Sequence, residues 1–204
     1  SECAAGKHPF VSVWMHNAFI TVDGKRMAKS EGNFFTLSDI VARGFDPLAY
    51  RYWLLTAHYR TQVNFTWDAL SGAQAALDRL RDMVSEWPLG GAVCNSCDEK
   101  FRAAILDDMN TAEALSVVWK LVSRDDKSSA DKKATLLSWD RILGLGLADI
   151  KPIEIPLRVR ELAEERAKSR EANDFARADE IRAKIESFGF EIRDTETGPK
   201  ITKK

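Results

Sequence analysis

Ten residues, Gly24-Lys25-Arg26-Met27-Ala28-Lys29-Ser30-Glu31-Gly32-Asn33, carry the densest chemistry in this chain of 204 residues. They follow a strand-like run and close on a Gly-Asn step. A lysine on such a glycine-flanked segment can move against the oxygens of a bound triphosphate, stabilise charge as it passes onto pyrophosphate, and withdraw. Lys29 is therefore the candidate catalytic residue. Lysine-rich turns are also common as plain solvated surface, so the surrounding residues must decide between the two readings.

Elements able to present the loop flank it on both sides. Pro9 to Trp14 and Ala18 to Val22 carry β-branched and aromatic residues with partial alternation, which predicts strands, and Asp23-Gly24 is a tight-turn signal. Thr36-Leu37-Ser38-Asp39 has capping-box spacing and predicts a short helix through Ala42, stopped by Gly44. Asp46 and Pro47 supply an N-cap and a first-turn proline for a helix to about Ala57. Trp14 and His16 fall on one side of an extended segment, which predicts burial against a sheet in preference to general-base chemistry for His16. His58 and Arg60, just past a helix end, read as connecting structure first.

Beyond Thr66 the periodicity is helical. Trp67, Leu70, Ala73, Leu77, Leu80, Val84 and Trp87 recur every three or four residues, which predicts one long amphipathic helix ended by Pro88-Leu89-Gly90-Gly91. Further helices are expected over 98–106, 111–122 and 132–143, with Trp119, Leu121, Leu136, Leu137, Trp139 and Ile142 as bundle core. Asn110 to Glu113 is good helix-start chemistry. Gly144 to Pro156 predicts a linker, followed by a helical hairpin over 157–170 and 174–188, joined near Ala172-Asn173, and a strand pair at 190–193 and 199–202. Residues 157–188 hold eight basic and eight acidic side chains, so most of these charges are expected to pair along solvated helix faces. Arg166 and Arg170 share a face that Arg177 can approach across the hairpin, a combination able to fork onto phosphates or stack on bases.

Composition bounds the remaining possibilities. A hydrophobic share of 45% supports one large or two small domains. Thirty basic residues against thirty-one acidic ones leave a net charge of -1, so any contact with nucleic acid must use local basic patches. No stretch is apolar for long enough to span a bilayer and the N-terminus lacks a signal-peptide pattern, which predicts a cytoplasmic protein. Cys94-Asn95-Ser96-Cys97 is a C-x-x-C with no second pair or nearby histidine to complete four zinc ligands, and its loop-like surroundings predict an incidental surface pair.

Several separated segments share one resemblance. Arg26-Met27-Ala28-Lys29-Ser30 resembles the KMSKS signature of class I aminoacyl-tRNA synthetases, and its setting, from Trp14-Met15-His16-Asn17 through Val22-Asp23-Gly24 to Gly32-Asn33-Phe34-Phe35, is similar to the cysteinyl-tRNA synthetase family. Asp46-Pro47, Arg51-Tyr52 and Ala57-His58-Tyr59-Arg60 match the segment that follows. Leu106-Asp107-Asp108-Met109-Asn110-Thr111-Ala112-Glu113-Ala114-Leu115 resembles a second family motif, and 174–182 with 192–195 resemble its C-terminal signature. Arg26 stands where a lysine is usual, Ala28 removes a hydroxyl that could steady the loop, and Met27 is expected to anchor it.

The resemblance implies a mainly α chain, with a helical bundle preceded by a small β-containing remnant of the class I Rossmann-type catalytic domain and followed by a C-terminal helical hairpin. Residues 1–65 would be the end of the catalytic domain with the signature loop and a stem-contact region, 66–150 a helical-bundle tRNA-binding domain, and 151–204 an anticodon-recognition unit. It further implies activation of cysteine by ATP with Mg2+, with Lys29, Arg26 and Ser30 on the ATP phosphates, and transfer to cysteine tRNA. In that family a Zn2+ takes the substrate thiolate. Its ligands are expected upstream of residue 1, so this chain supplies no metal ligand and is expected to be inactive alone, and the full-length protein a monomer. Two other readings are a cysteine ligase of small-thiol biosynthesis and a free-standing tRNA-binding module. Phe10, Val13 and Phe19 are expected to form an exposed apolar surface.

Overall fold

The computed structural model describes residues 1–28, 30, 32–150, 156–172, 174–195 and 198–203. Lys29, Glu31 and Asn173, which the sequence reading singled out or placed in its motifs, lie outside the described residues, as do Glu196 and Thr197 of the expected C-terminal turn. The chain is mainly α. Residues 1–150 form one compact unit and 151–204 a second. No described helix is long and apolar enough to cross a membrane.

The first unit begins with a single helical turn, α1 (Glu2–Ala5), and then a three-stranded sheet in the order β2-β1-β3. Strand β1 (Ile20–Val22) turns into β2 (Lys25–Arg26) through Asp23 and Gly24, whose φ values of 50° and 77° give the doubly left-handed turn that two-residue hairpins require. Strand β3 (Val63–Phe65) pairs with β1 in parallel, Thr21 opposite Asn64. The strand expected over Pro9 to Trp14 does not form. That segment has no neighbouring strand among the described residues to take its backbone hydrogen bonds, and the Phe10 amide donates instead to the Glu2 carboxylate at 3.2 Å.

Two short helices follow the sheet's first hairpin. Helix α2 (Leu37–Ala42) starts on the expected capping box, with the Thr36 hydroxyl accepting from the Asp39 amide and the Asp39 carboxylate accepting from the Thr36 amide at 2.7 Å. Helix α3 (Pro47–Leu55) starts on the expected Asp46 cap and Pro47. The long helix α4 (Trp67–Glu86) then buries Leu70, Ala73, Leu77, Leu80 and Val84 along one face. α5 (Asn95–Leu106), α6 (Thr111–Val122) and α7 (Ser129–Leu143) complete the unit. Phe101 stacks on Trp139 at 4.5 Å between ring centroids, and the Trp139 indole nitrogen donates to Asp98 at 2.9 Å.

Two sequence expectations need correction here. Ile142 is half exposed, because α7 turns its Leu136, Trp139 and Leu143 stripe inward and leaves Ile142 at the edge. The linker expected from Gly144 does not begin there. Gly144 closes α7 in the left-handed conformation, and the Asp140 carboxylate then accepts from the Leu145 and Leu147 amides at 2.7 and 2.8 Å, which seats both leucines in the core.

The second unit pairs α8 (Leu157–Glu171) with α9 (Phe175–Ser187), capped by Asp174, and adds an antiparallel hairpin of β4 (Phe190–Thr195) and β5 (Gly198–Lys203). Val159, Leu162, Ala163, Ile181, Ile185, Phe190 and Ile192 form its core, and Ile201 packs against them.

Two glycines of the first unit test this packing in opposite directions. Gly72 is exposed inside α4, where a Cβ meets nothing within 4 Å, so Gly72→Ala should stabilise the chain by about 0.5–1 kcal/mol. A Cβ on Gly91 would lie 2.1 Å from the Ala130 backbone, so Gly91→Ala should cost about 1–3 kcal/mol by forcing the loop off α7. Urea unfolding of the two variants, followed by circular dichroism, measures both signs.

Candidate functional site

The candidate site is the loop that leaves β2, and its supports can be traced residue by residue. Behind its turn, the Asn64 side-chain oxygen accepts from the Gly24 amide at 2.7 Å and from the Thr21 hydroxyl at 3.1 Å, and the Asp23 amide donates to the Phe65 carbonyl at 3.1 Å. The hairpin tip is thus bonded sideways onto β3. Met27, expected as an anchor, is partly buried against the core beside Phe35, Ile40, Tyr50 and Phe65.

The far end of the loop is tied by one side chain. Asn33 accepts from the Ala28 amide through Oδ1 at 2.9 Å and donates from Nδ2 to the Arg26 carbonyl at 3.0 Å. Both ends of the segment 28–33 are therefore held together by a single amide group. Arg26 and Ser30 are exposed beside this staple, while Lys29 lies outside the described residues. In the sequence Asn33 stands as part of a Gly-Asn step and of the Gly32–Phe35 segment, without a bonding role; its two backbone partners lie five and seven residues away and carry no local pattern.

A second support ties the sheet to the bundle. The Asp108 carboxylate accepts from the Tyr59 hydroxyl at 2.7 Å and from Arg60 Nε at 2.8 Å, and His58 Nε2 lies 3.0 Å from the Asp108 carbonyl. Asp108 and Met109 both have positive φ, 50° and 54°, conformations that cost energy for non-glycine residues. Hydrogen bonding from Tyr59, then from Arg60, holds the Asp108 carboxyl below its ordinary range. The Tyr59 carbonyl in turn accepts from the Ala18 amide at 2.9 Å, one residue pair before β1. His58 and Arg60 are connecting structure, as expected, and Asn110 caps α6 through the Glu113 amide. The role of Asp108 was not legible, since its partners lie about fifty residues away.

Other sequence candidates are not assembled as expected. Trp14 is 75% exposed and stacks on an exposed His16 at 6.3 Å, because no described layer covers that face. Phe10, Val13 and Phe19 are exposed, as expected. In the second unit Arg177 is taken up by Glu165 at 2.6 Å, Arg166 is buried, and the Arg170 guanidinium lies 6.0 Å from the Phe175 ring. The three arginines therefore do not form a common displayed patch. Cys94 and Cys97 are buried at the start of α5 and are not a surface pair, because the helix begins three residues earlier than expected and the Thr135 hydroxyl accepts from the Cys94 amide at 2.9 Å.

A family model described as tRNA synthetases class I (C) catalytic domain matches residues 1–75, and a DALR domain model matches residues 100–148. The chain is 43% identical over 201 residues to cysteine-tRNA ligase 1 of Burkholderia lata, across 97% of this chain and 43% of that protein. It is 40% identical over 203 residues to cysteine-tRNA ligase of Opitutus terrae, across 97% of this chain and 43% of that protein, and 38% identical over 215 residues to that of Chlamydia abortus, across 96% and 45%. The chain belongs to the cysteine-tRNA ligase family. It spans less than half the length of these curated relatives. The family implies a zinc ion, but among the described residues no group of three or more His, Cys, Asp and Glu side chains could hold a metal.

Two outcomes follow from the supports. Asn33→Ala should expose the Arg26 bond, raising the rate of tryptic cleavage there about tenfold, on the scale of one lost hydrogen-bond pair, with the melting temperature nearly unchanged. Asp108→Ala should speed hydrogen exchange at the Ala18 amide, and in the parent chain this protection, present near neutral pH, should be lost as pH falls below the ordinary carboxylate range and through the depressed Asp108 value.

Proposed function

We propose that the protein to which this chain belongs activates cysteine with ATP and transfers it to cysteine tRNA, and that this chain supplies the phosphate-handling loop and the tRNA-binding helices. The observation that carries the reading is the signature loop itself, launched from a left-handed hairpin turn and stapled by Asn33, in a chain of this family. In the first step the cysteine carboxylate attacks the α-phosphorus of Mg-ATP and pyrophosphate leaves. In the second the terminal ribose hydroxyl of the tRNA takes the cysteinyl group.

Positioning and charge stabilisation dominate such a step, because little covalent work falls to the protein. Lys29 stabilises the charge developing on pyrophosphate, with Arg26 and Ser30 beside it on the phosphates. Arg26 keeps the cationic charge of the usual lysine but presents it as a planar fork able to take two phosphate oxygens. Residues 1–65 are the catalytic edge, 66–150 the tRNA-binding bundle and 151–204 the anticodon unit, in a cytoplasmic, monomeric enzyme. With Arg166 buried and Arg177 paired to Glu165, its contact with RNA falls to other exposed side chains, among them Lys184 on α9.

In the full-length protein Lys29→Ala should lower the rate of cysteine-dependent pyrophosphate exchange by about 10²–10³, the usual loss when one preorganised charge-stabilising group is removed, with unfolding unchanged. An unaltered exchange rate would sink the assignment of Lys29. For the tRNA role, this chain titrated with cysteine tRNA and with a second tRNA at two salt concentrations should prefer the first at both; equal binding that vanishes with modest salt would reduce the contact to phosphate alone.

A further inference from the structure

The C-x-x-C at the head of α5 is used by none of the chemistry above, and both of its thiols have polar neighbours. Cys94 is the N-cap of α5 and Cys97 lies in its first turn; the Cys97 amide donates to the Cys94 carbonyl at 3.0 Å, which brings the two side chains to the same end of the helix. The Ser96 hydroxyl is 3.6 Å from Cys94 Sγ, and Arg124 Nη1 donates to Cys97 Sγ at 3.4 Å. Buried but unreactive cysteines sit in apolar surroundings; these two have a helix N-terminus, a hydroxyl and a guanidinium around them.

Access is provided from one side. Cys97 lines an open groove of about 680 Å³ between α5 and α6, together with Lys100, Asn110, Glu113, Lys120 and Arg124. The two thiols also differ in acidity. Burial opposes ionisation of Cys94, but hydrogen bonds from Cys97 and Ser96, with Lys127 nearby, bring it below its ordinary value. Burial and the neighbouring Cys94 push Cys97 up, against the pull of Arg124.

We propose that Cys94 and Cys97 form a reversible dithiol–disulfide site that exchanges with small-molecule disulfides entering the groove between α5 and α6. The Cys97 thiol releases its proton to solvent and its thiolate, held against Arg124 at the groove, attacks one sulfur of the small disulfide; the small S–S bond breaks as the mixed disulfide forms, and one small thiolate leaves and takes up a proton. The Cys94 thiolate then attacks Cys97 Sγ, the mixed disulfide breaks, and the second small thiol departs. Two protein thiols are oxidised and one small disulfide is reduced to two thiols, so atoms and electrons balance. Closing the bond replaces the thiol that Arg124 contacts by a disulfide sulfur, which places the redox change beside the residue that follows α6. The site does not depend on the proposed ligase activity.

Cys3 is exposed and has no second cysteine in its own segment, so it serves as the internal reference for modification of a single thiol. The chain is equilibrated in buffers of rising oxidised-to-reduced glutathione ratio, quenched with N-ethylmaleimide, and the peptides carrying Cys3 and Cys94–Cys97 are weighed. The expected result is a 94–97 peptide two hydrogens lighter and carrying no glutathione, half-formed at a ratio about tenfold lower than that which half-modifies Cys3, and restored by dithiothreitol. Glutathione retained on Cys94 or Cys97, or both thiols still alkylated at ratios that fully modify Cys3, overturns the proposal. Because the parent chain is used throughout, no variant has to fold.

Discussion

Phe65 is the point at which sheet and helices become one body. It ends β3, is almost wholly buried, and meets Trp53 and Trp67 edge-on at 5.4 and 5.1 Å, with Tyr50 at 6.2 Å. Edge-to-face pairs of this kind contribute about 0.5–1.5 kcal/mol each beyond the area they bury. Its carbonyl also receives the Asp23 amide at the hairpin tip. One residue therefore joins α3 and α4 to the turn that launches the signature loop, and Met27 and Phe35, at the two ends of that loop, pack around the same ring cluster.

Electrostatics in the chain work by local pairing and very little by field. Asp46 takes Arg81 at 2.6 Å, Asp126 takes Arg124, and Glu165 takes Arg177. Such pairs are worth little in stability where they are exposed, but they remove charge from display. That is why a neutral-looking sequence in the second unit did not resolve into an arginine patch on folding. Only where a carboxylate reaches backbone amides, as Asp140 does at Leu145 and Leu147, does it determine the path of the chain.

Much of the fold was legible because it is locally encoded. The Thr36–Asp39 box, the Asp46-Pro47 start, the Asp23-Gly24 turn and the α4 stripe each lie within a window of a few residues or a single period, and each stands where expected. Pro9 to Trp14 has strand composition but no strand beside it among the described residues, and a β pattern specifies nothing without a partner ladder. The site was legible as a motif and not as a mechanism of support. Asn33, Asn64 and Asp108 are polar residues in loops or a short strand, and their partners are backbone groups or side chains reached only through tertiary structure. The Cys94–Cys97 pair looked superficial for the same reason, since Thr135, which anchors it, lies 41 residues away.

The Asn33 staple bears on the departure at position 28. What Asn33 grips there is the main-chain amide, and every residue except proline supplies one. The hydroxyl that the family signature usually places at this position is thus not what closes this loop. Residue 28 gives the staple only its main-chain amide, whereas residue 33 must both donate and accept at fixed reach, which the asparagine side chain does.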